Sequence, residues 1–155
     1  MIHVNKYFVS KPFLNKVKDS FPVLAVMVVI DFGNKALLIK RAEEPMKGKW
    51  WLPGSRVFKR EKGETTAKRV AKQEVGLDCS VVRFIGNVRE TYRTSEFADG
   101  WADFLSMTYV LKPVDKNQSI RLDATSTDYK FITKIERNLH ENVRKPLDAS
   151  GIFKK

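Results

Sequence analysis

The stretch from Lys62 to Val75 constrains the fold more than any other segment of the chain. At about 100° per residue, Ala67, Val70, Ala71 and Val75 align as an apolar stripe, and Gly76 stands where a left-handed helix cap is wanted. A helix of this kind must lay its stripe on a sheet. Glu74 falls inside the stripe, close in angle to Ala67 and Val70, whereas Lys68, Arg69 and Lys72 lie off it. A carboxylate aimed at a core edge is costly unless a cation meets it. Two kinds of partner satisfy that demand. One is a basic side chain such as Arg41 or Arg56; the other is a divalent cation held by Glu74 with backbone carbonyls of the preceding loop. Magnesium suits the second, because it takes few protein ligands when substrate phosphates and waters complete its shell.

The rest of the chain supplies the sheet. Pro22 to Ile30 is the longest apolar run, too short to span a bilayer, and residues 23–31 predict a buried strand. Gly33-Asn34 predicts a turn into a second strand over 36–42. Residues 43–49 read as a loop, "WWLP" leads into Gly54, and "RVF" continues extended. Strands are predicted over 79–92, 104–113 and 128–133, with a polar loop over 93–103. Further helices are predicted over 5–20, where Pro12 is tolerated near the start, and over 134–147. Strands around a central helix, with helices at both ends, make an α+β chain whose central mixed sheet lies between helices, an α/β/α sandwich. With 155 residues, 43% of them apolar, no repeat and no Gly/Ser- or Pro-rich linker, one domain over 1–155 is expected.

Composition narrows the partners. A net charge of +11 favours anions: phosphorylated small molecules, nucleic acid or an anionic surface. Nucleic acid is the less favoured of these, since RNA readers usually add an aromatic platform or a known module and neither is evident. The opening residues lack the continuous apolar core of a secretory signal. A lone cysteine, Cys79, cannot form an internal disulfide, and a cytoplasmic protein with no membrane partner is the reading.

Residues 55–77 resemble the Nudix box, G-x5-E-x7-R-E-U-x-E-E-x-G-U with U a bulky aliphatic. Without gaps, Ser55 stands at the opening glycine, Glu61 at the first glutamate and Arg69 at the arginine. Val70 stands at the next glutamate, Ala71 at the aliphatic site, Gln73 and Glu74 at the glutamate pair, and Gly76-Leu77 at the close. "WWLPG" resembles the strand and turn that enter the box. Positions 70, 73 and 74 share a helix face by their i, i+3, i+4 spacing, and only Glu74 keeps a charge there. Charge counting then predicts fewer ions, one rather than several, neutralising a leaving group. One Nudix branch, the GDP-mannose mannosyl hydrolases, is similar almost end to end. "KRAEEPMKGKWWLPGSRV" (40–57) matches its KR…PGGRV stretch, "TDYKF" (127–131) its DDYRW, and "NLHENVR" (138–144) its N-x-H-x-N-x-R.

That resemblance implies a Mg²⁺-dependent hydrolase of a nucleoside diphosphate sugar such as GDP-mannose, cleaving the sugar–phosphate C–O bond, and it suggests a homodimer. It implies that Arg41, Arg56 and Arg69 orient the diphosphate and offset charge on the leaving nucleotide, since guanidinium forks suit phosphate oxygens. It places Mg²⁺ at Gly54 and Glu74, with Glu61 a further metal candidate, and Tyr129 beside the substrate. Arg69 bracing the loop through Glu61, Tyr129 packing in the core, and His140 capping or packing are the structural alternatives. The chain also departs from the branch. Ser126 replaces the histidine base, Val26 an acidic residue, Glu90 a histidine and Thr125 a glutamine. A serine hydroxyl takes no proton usefully at neutral pH without activation. Glu90, Asp128 and Asp123 are the substitute bases. Two other readings stand beside this one: Nudix cleavage of the pyrophosphate bond, and a catalytically silent domain that binds a nucleotide or RNA.

Overall fold

The computed structural model of the chain describes residues 10–154. Three helices and seven strands follow in the order α1 (Lys11–Ser20), β1 (Val23–Ile30), β2 (Ala36–Arg41), β3 (Trp50–Trp51), β4 (Gly54–Arg56), α2 (Gly63–Val75), β5 (Cys79–Arg93), β6 (Trp101–Pro113), β7 (Ser126–Ile132) and α3 (Glu141–Ser150). The class is α+β, as expected. The strands divide between two sheets: a mixed four-stranded one ordered β4-β1-β6-β5 and a three-stranded one ordered β3-β2-β7. β1 and β6 run parallel, from Val23 opposite Phe104 to Ile30 opposite Leu111, and the other pairs are antiparallel. The turn at Gly33-Asn34 forms, but β1 and β2 share only the Asp31–Ala36 bridge before parting into different sheets. Every residue of β1 from Ala25 onward is buried, so both faces of that strand are covered.

α2 forms as its periodicity demands. Ala67, Val70, Ala71 and Val75 are all fully buried, and at about 1–3 kcal/mol for each larger side chain this burial fixes the helix on the sheet. It ends at Gly76, whose φ of 77° is available at little cost only to glycine. Gly76 N–H bonds Lys72 O and Leu77 N–H bonds Ala71 O, a Schellman closure.

Several boundaries differ from the sequence expectation, among them the start of β7, at Ser126 and not at 128. β6 begins at Trp101, which shortens the polar loop. The part of the first predicted helix at 5–9 lies outside the described residues; the described part starts at Lys11, with Pro12 in its first turn. The last helix covers Glu141–Ser150 instead of 134–147. Ile135, Leu139, Val143 and Leu147 keep helical spacing across that boundary, and all four pack on the core. Periodicity there reports burial, while the hydrogen bonds start only at His140, whose Nδ1 accepts from Asn142 N–H, and stop at Gly151. No described helix is long and apolar enough to cross a membrane.

Candidate active site

A cleft of about 360 Å³ opens between the two sheets, walled by β1, β3, β4, the start of β2–β3 and residues of α2, β5 and β6. Arg41, Gly54, Arg56, Arg69, Gln73, Glu74 and Glu90 all line it. Residues far apart in the chain therefore meet as the box reading requires. Two of its acids are used in opposite ways.

Glu61 and Arg69 are committed to each other. Arg69 Nε and Nη2 each donate to Glu61 at 2.8 Å, a fork on a carboxylate. The remaining capacity of Arg69 goes to Arg56 O at 2.8 Å and Gln73 Oε1 at 3.1 Å, and its guanidinium stacks 4.0 Å from the Phe58 ring centroid. Thr66 Oγ1 also donates to Glu61, at 2.6 Å, and Phe58 N–H at 3.3 Å. Burial alone would raise the Glu61 carboxyl; the hydrogen bonds from Arg69, Thr66 and Phe58 outweigh it and hold it down at about 2. Of the roles expected for Arg69 and Glu61, this geometry matches bracing the loop through their mutual pair. Their geometry is a brace that fixes the β4–α2 loop, because every donor nitrogen of Arg69 already has an acceptor.

Glu74 is paired with no basic side chain among the described residues. It is 8% exposed, and its one hydrogen bond comes from Gly54 N–H to Oε2 at 3.1 Å. Neither Arg41 nor Arg56 lies within ion-pair distance, although the charges of Arg41 and Arg69 act on it. Burial pushes its carboxyl up to about 8, helped by the nearby Asp123 charge. Gly54 reaches this acid because it lacks a side chain: a Cβ there would stand 3.0 Å from Val26 O on the neighbouring strand.

The donor set decides which metal load fits. Among the described residues no group of three His, Cys, Asp or Glu could hold an ion. Val70, at a carboxylate position of the box, is fully buried in the core, and Gln73 is bonded to Arg69. What remains is one carboxylate with an unpaired oxygen at the edge of an open cleft. That suits a single hard cation whose shell is completed by water and phosphate; a multi-ion cluster does not fit.

Arg41 and Arg56 supply positive charge. Arg41 Nε is anchored on Pro45 O at 2.7 Å, and Glu74, Glu90 and Tyr92 all feel its charge. The Arg56 guanidinium leans on Phe58, 5.5 Å from the ring centroid, with no acceptor among the described residues. Opposite them, Glu90 is 5% exposed. Tyr92 Oη donates to it at 2.7 Å, and so does the Ser106 hydroxyl. Burial raises the Glu90 carboxyl above the usual carboxylate range against those bonds and Arg41. Tyr92 Oη in turn accepts from Asn142 Nδ2 at 2.9 Å, and His140, the cap of α3, lies 5.1 Å from the Trp51 ring. His140 is thus a capping and packing residue.

Other expected residues lie elsewhere. Tyr129 and Asp128 are on the exposed part of β7 and do not line the cleft. Asp128 Oδ1 accepts from Tyr129 N–H, and Tyr129 is 41% exposed, which also corrects the core alternative. Asp123 lies on the loop beside Glu74, bonding Glu74 O through its N–H at 3.2 Å, with Oδ1 held by Thr125. Ser126 is buried, and its Oγ has no partner among the described residues.

Sequence reasoning missed Tyr92, Ser106 and Lys18, all of which line the cleft. The first had a signal: Glu90 and Tyr92 are two apart on a strand and share a face. Ser106 sits opposite Val88, diagonal to Glu90, and only the β5–β6 register brings it there.

Residues 21–147 match the NUDIX domain family. The low-salt glycan biosynthesis protein Agl8 of Haloferax volcanii is 30% identical over 129 residues, 83% of this chain and 81% of that protein. An ADP-ribose pyrophosphatase of Methanocaldococcus jannaschii is 42% identical over a shorter stretch of 65 residues, 42% of this chain and 38% of that protein. Among solved structures, a MutT Nudix hydrolase from Burkholderia pseudomallei superposes with a TM-score of 0.68 at 20% identity, covering 84% of this chain and 98% of its own. The Nudix domain of Shewanella oneidensis NrtR, complexed with ADP ribose, gives 0.61 at 20% identity and 97% coverage of both chains. The structural likenesses speak for the fold; the family match over most of the chain, with a brace and a buried box glutamate where the motif needs them, makes this protein a member of the Nudix hydrolase family.

Proposed function

We propose that the chain is a metal-dependent hydrolase of a nucleoside diphosphate sugar, GDP-mannose or a close analogue, that breaks the bond between the anomeric carbon and the phosphate oxygen. The observation that carries this is the single ionisable residue on the box face. Glu74 has one unpaired carboxylate oxygen at the cleft edge, while Val70 is buried and Gln73 is tied to Arg69. Activating water for attack on phosphorus draws on several ions in this superfamily's full box; a site for one ion suits neutralising a departing diphosphate. The likeness to a protein named for glycan biosynthesis favours a sugar-bearing substrate.

Magnesium, held by Glu74 with help from the Gly54 backbone, would supply Lewis-acid stabilisation of charge on the leaving phosphate. Arg41 and Arg56, neither bonded to a carboxylate, bind and orient the diphosphate. A water oxygen bonds to the anomeric carbon as the carbon–oxygen bond breaks; the electron pair leaves on the nucleoside diphosphate, and the water's proton passes to a carboxylate. Glu90 is our choice for that base, because it is the one of the three substitute acids that lines the cleft and Tyr92 and Ser106 hold its orientation.

A magnesium-dependent screen of nucleotide sugars in ¹⁸O-labelled water tests the reading. Label in the sugar, with nucleoside diphosphate released, is the expected result. Label in a phosphate moves the chain to the pyrophosphohydrolase reading, which the likeness to an ADP-ribose pyrophosphatase favours. Thermal stabilisation by nucleotides with no turnover of any substrate would leave a binding domain.

A further inference from the structure

Lys18 has no part in the proposed reaction. It belongs to α1, which precedes the stretch matching the Nudix family, yet it lines the same cleft as Glu74. Its side chain is half-buried, and its Nζ lies 5.5 Å from the centroid of the buried Phe97 ring. The helix is tethered there: the neighbouring Asp19 accepts a hydrogen bond from Ala98 N–H at 3.1 Å. Lys18 is therefore held toward the cleft and does not simply trail in solvent.

Its surroundings are unfavourable for a cation. Burial lowers its pKa first and the Arg56 charge lowers it next; Glu96 and Glu43 act in the other direction. Among the described residues, neither Lys18 nor Arg56 has a carboxylate within ion-pair distance, and both line the same cleft. Two partly desolvated cations facing one cavity repel each other until an anion enters. A lysine and an arginine also divide the work of phosphate recognition well, one as a compact charge and the other as a fork.

We propose that Lys18 and Arg56 form an anion subsite that grips a phosphate of the substrate, so that α1 completes a binding site the family domain alone would leave short of one cation. The subsite rests on the nucleotide reading only in requiring a diphosphate-bearing ligand. It calls for no particular base or sugar, metal or bond cleaved.

The test is calorimetric titration of the full chain with inorganic pyrophosphate in the presence of a chelator, so that neither turnover nor metal enters the readout. Lys18→Met should weaken binding about 10-fold and flatten its salt dependence, while Lys18→Arg should stay within about 3-fold of wild type. Lys18→Met should melt no lower than wild type, since the substitution removes a repulsion. Wild-type affinity in Lys18→Met would overturn the proposal, as would equal weakening in Lys18→Arg or failure of the unsubstituted protein to bind pyrophosphate. A failed nucleotide-sugar screen with the expected titration would sink the proposed reaction and leave the subsite standing; the converse pair of results would do the opposite.

Discussion

Glu61 and Glu74 are the same residue type in the same motif, and the fold pushes their carboxyls in opposite directions. Glu61 is partly buried against its cation and held down at about 2; Glu74 is buried with no basic side chain paired to it among the described residues and pushed up to about 8. What separates them is depth and hydrogen bonding: Glu74 is buried with one donor bond, from Gly54, whereas Glu61 is only partly buried and takes four, from Arg69, Thr66 and Phe58. The first arrangement is complete without a ligand and serves structure. The second is unfinished, and a residue held in an unfinished state at a cleft edge is a candidate for chemistry.

The largest expected effect in this comparison is on turnover. Glu74→Gln should lower magnesium-dependent hydrolysis at least about 100-fold, since the amide replaces the ionised ligand, and steady-state assay of the variant reads this directly. The same variant should be more stable than wild type at pH 8. The folded Glu74 carboxyl keeps a proton that the unfolded one releases, so between about pH 4.5 and 8 wild-type stability falls as pH rises, by about 3–5 kcal/mol. Thermal melts across that window should show a falling limb in wild type and a flatter one in Glu74→Gln. Unchanged turnover together with parallel melts would erase the distinction between the two acids.

Next in size is the brace. Arg69→Met strips the partly buried Glu61 of its cation and should cost about 2–3 kcal/mol, a drop of roughly 5–10 °C in Tm. Its pH signature is the reverse of the first. Glu61 contributes stability above about pH 4.5 that is lost as pH falls toward 2, so acid unfolding of Arg69→Met should start from a lower plateau and show a shallower acid limb. If Arg69→Met instead kept full stability and lost all activity, Arg69 would belong to the diphosphate after all.

Smaller effects sharpen the edges of the site. Glu90→Gln should lower kcat about 10–100-fold with KM little changed if Glu90 takes the proton, and should flatten the acid limb of the rate–pH profile. Ser126→Ala should leave kcat within about 2-fold and stability unchanged or raised by up to about 1 kcal/mol, because it removes a buried hydroxyl that has no partner among the described residues. A large loss of activity in Ser126→Ala would show that this hydroxyl finds its partner in the substrate.

Much of this was legible before any coordinates. The stripe of α2, its closure at Gly76 and the burial of Glu74 within it follow from 3.6-residue periodicity and from glycine's access to positive φ, which are properties of local sequence. The pairing of Glu61 with Arg69 was one of the roles that the box resemblance left open, and the observed contacts favour it. The limits of α3 were not legible, because apolar spacing continues through the preceding turn and tertiary packing keeps both segments buried. Tyr129 and Asp128 were carried to the site by motif likeness, and the register of β7 on β2 leaves them on the exposed stretch of an edge strand.

By itself the sequence determined which residues had to be buried, which helix would carry the acid and which family the box resembles, since periodicity, capping and motif spacing act over a few turns of chain. Whether that acid met a cation, and which charges met in the cleft, was decided by the tertiary structure. Those outcomes depend on strand register and on one helix docking beside a distant loop. Lys18, Arg56 and Glu90 are far apart along the chain, and electrostatics in a cleft depends on distance through space.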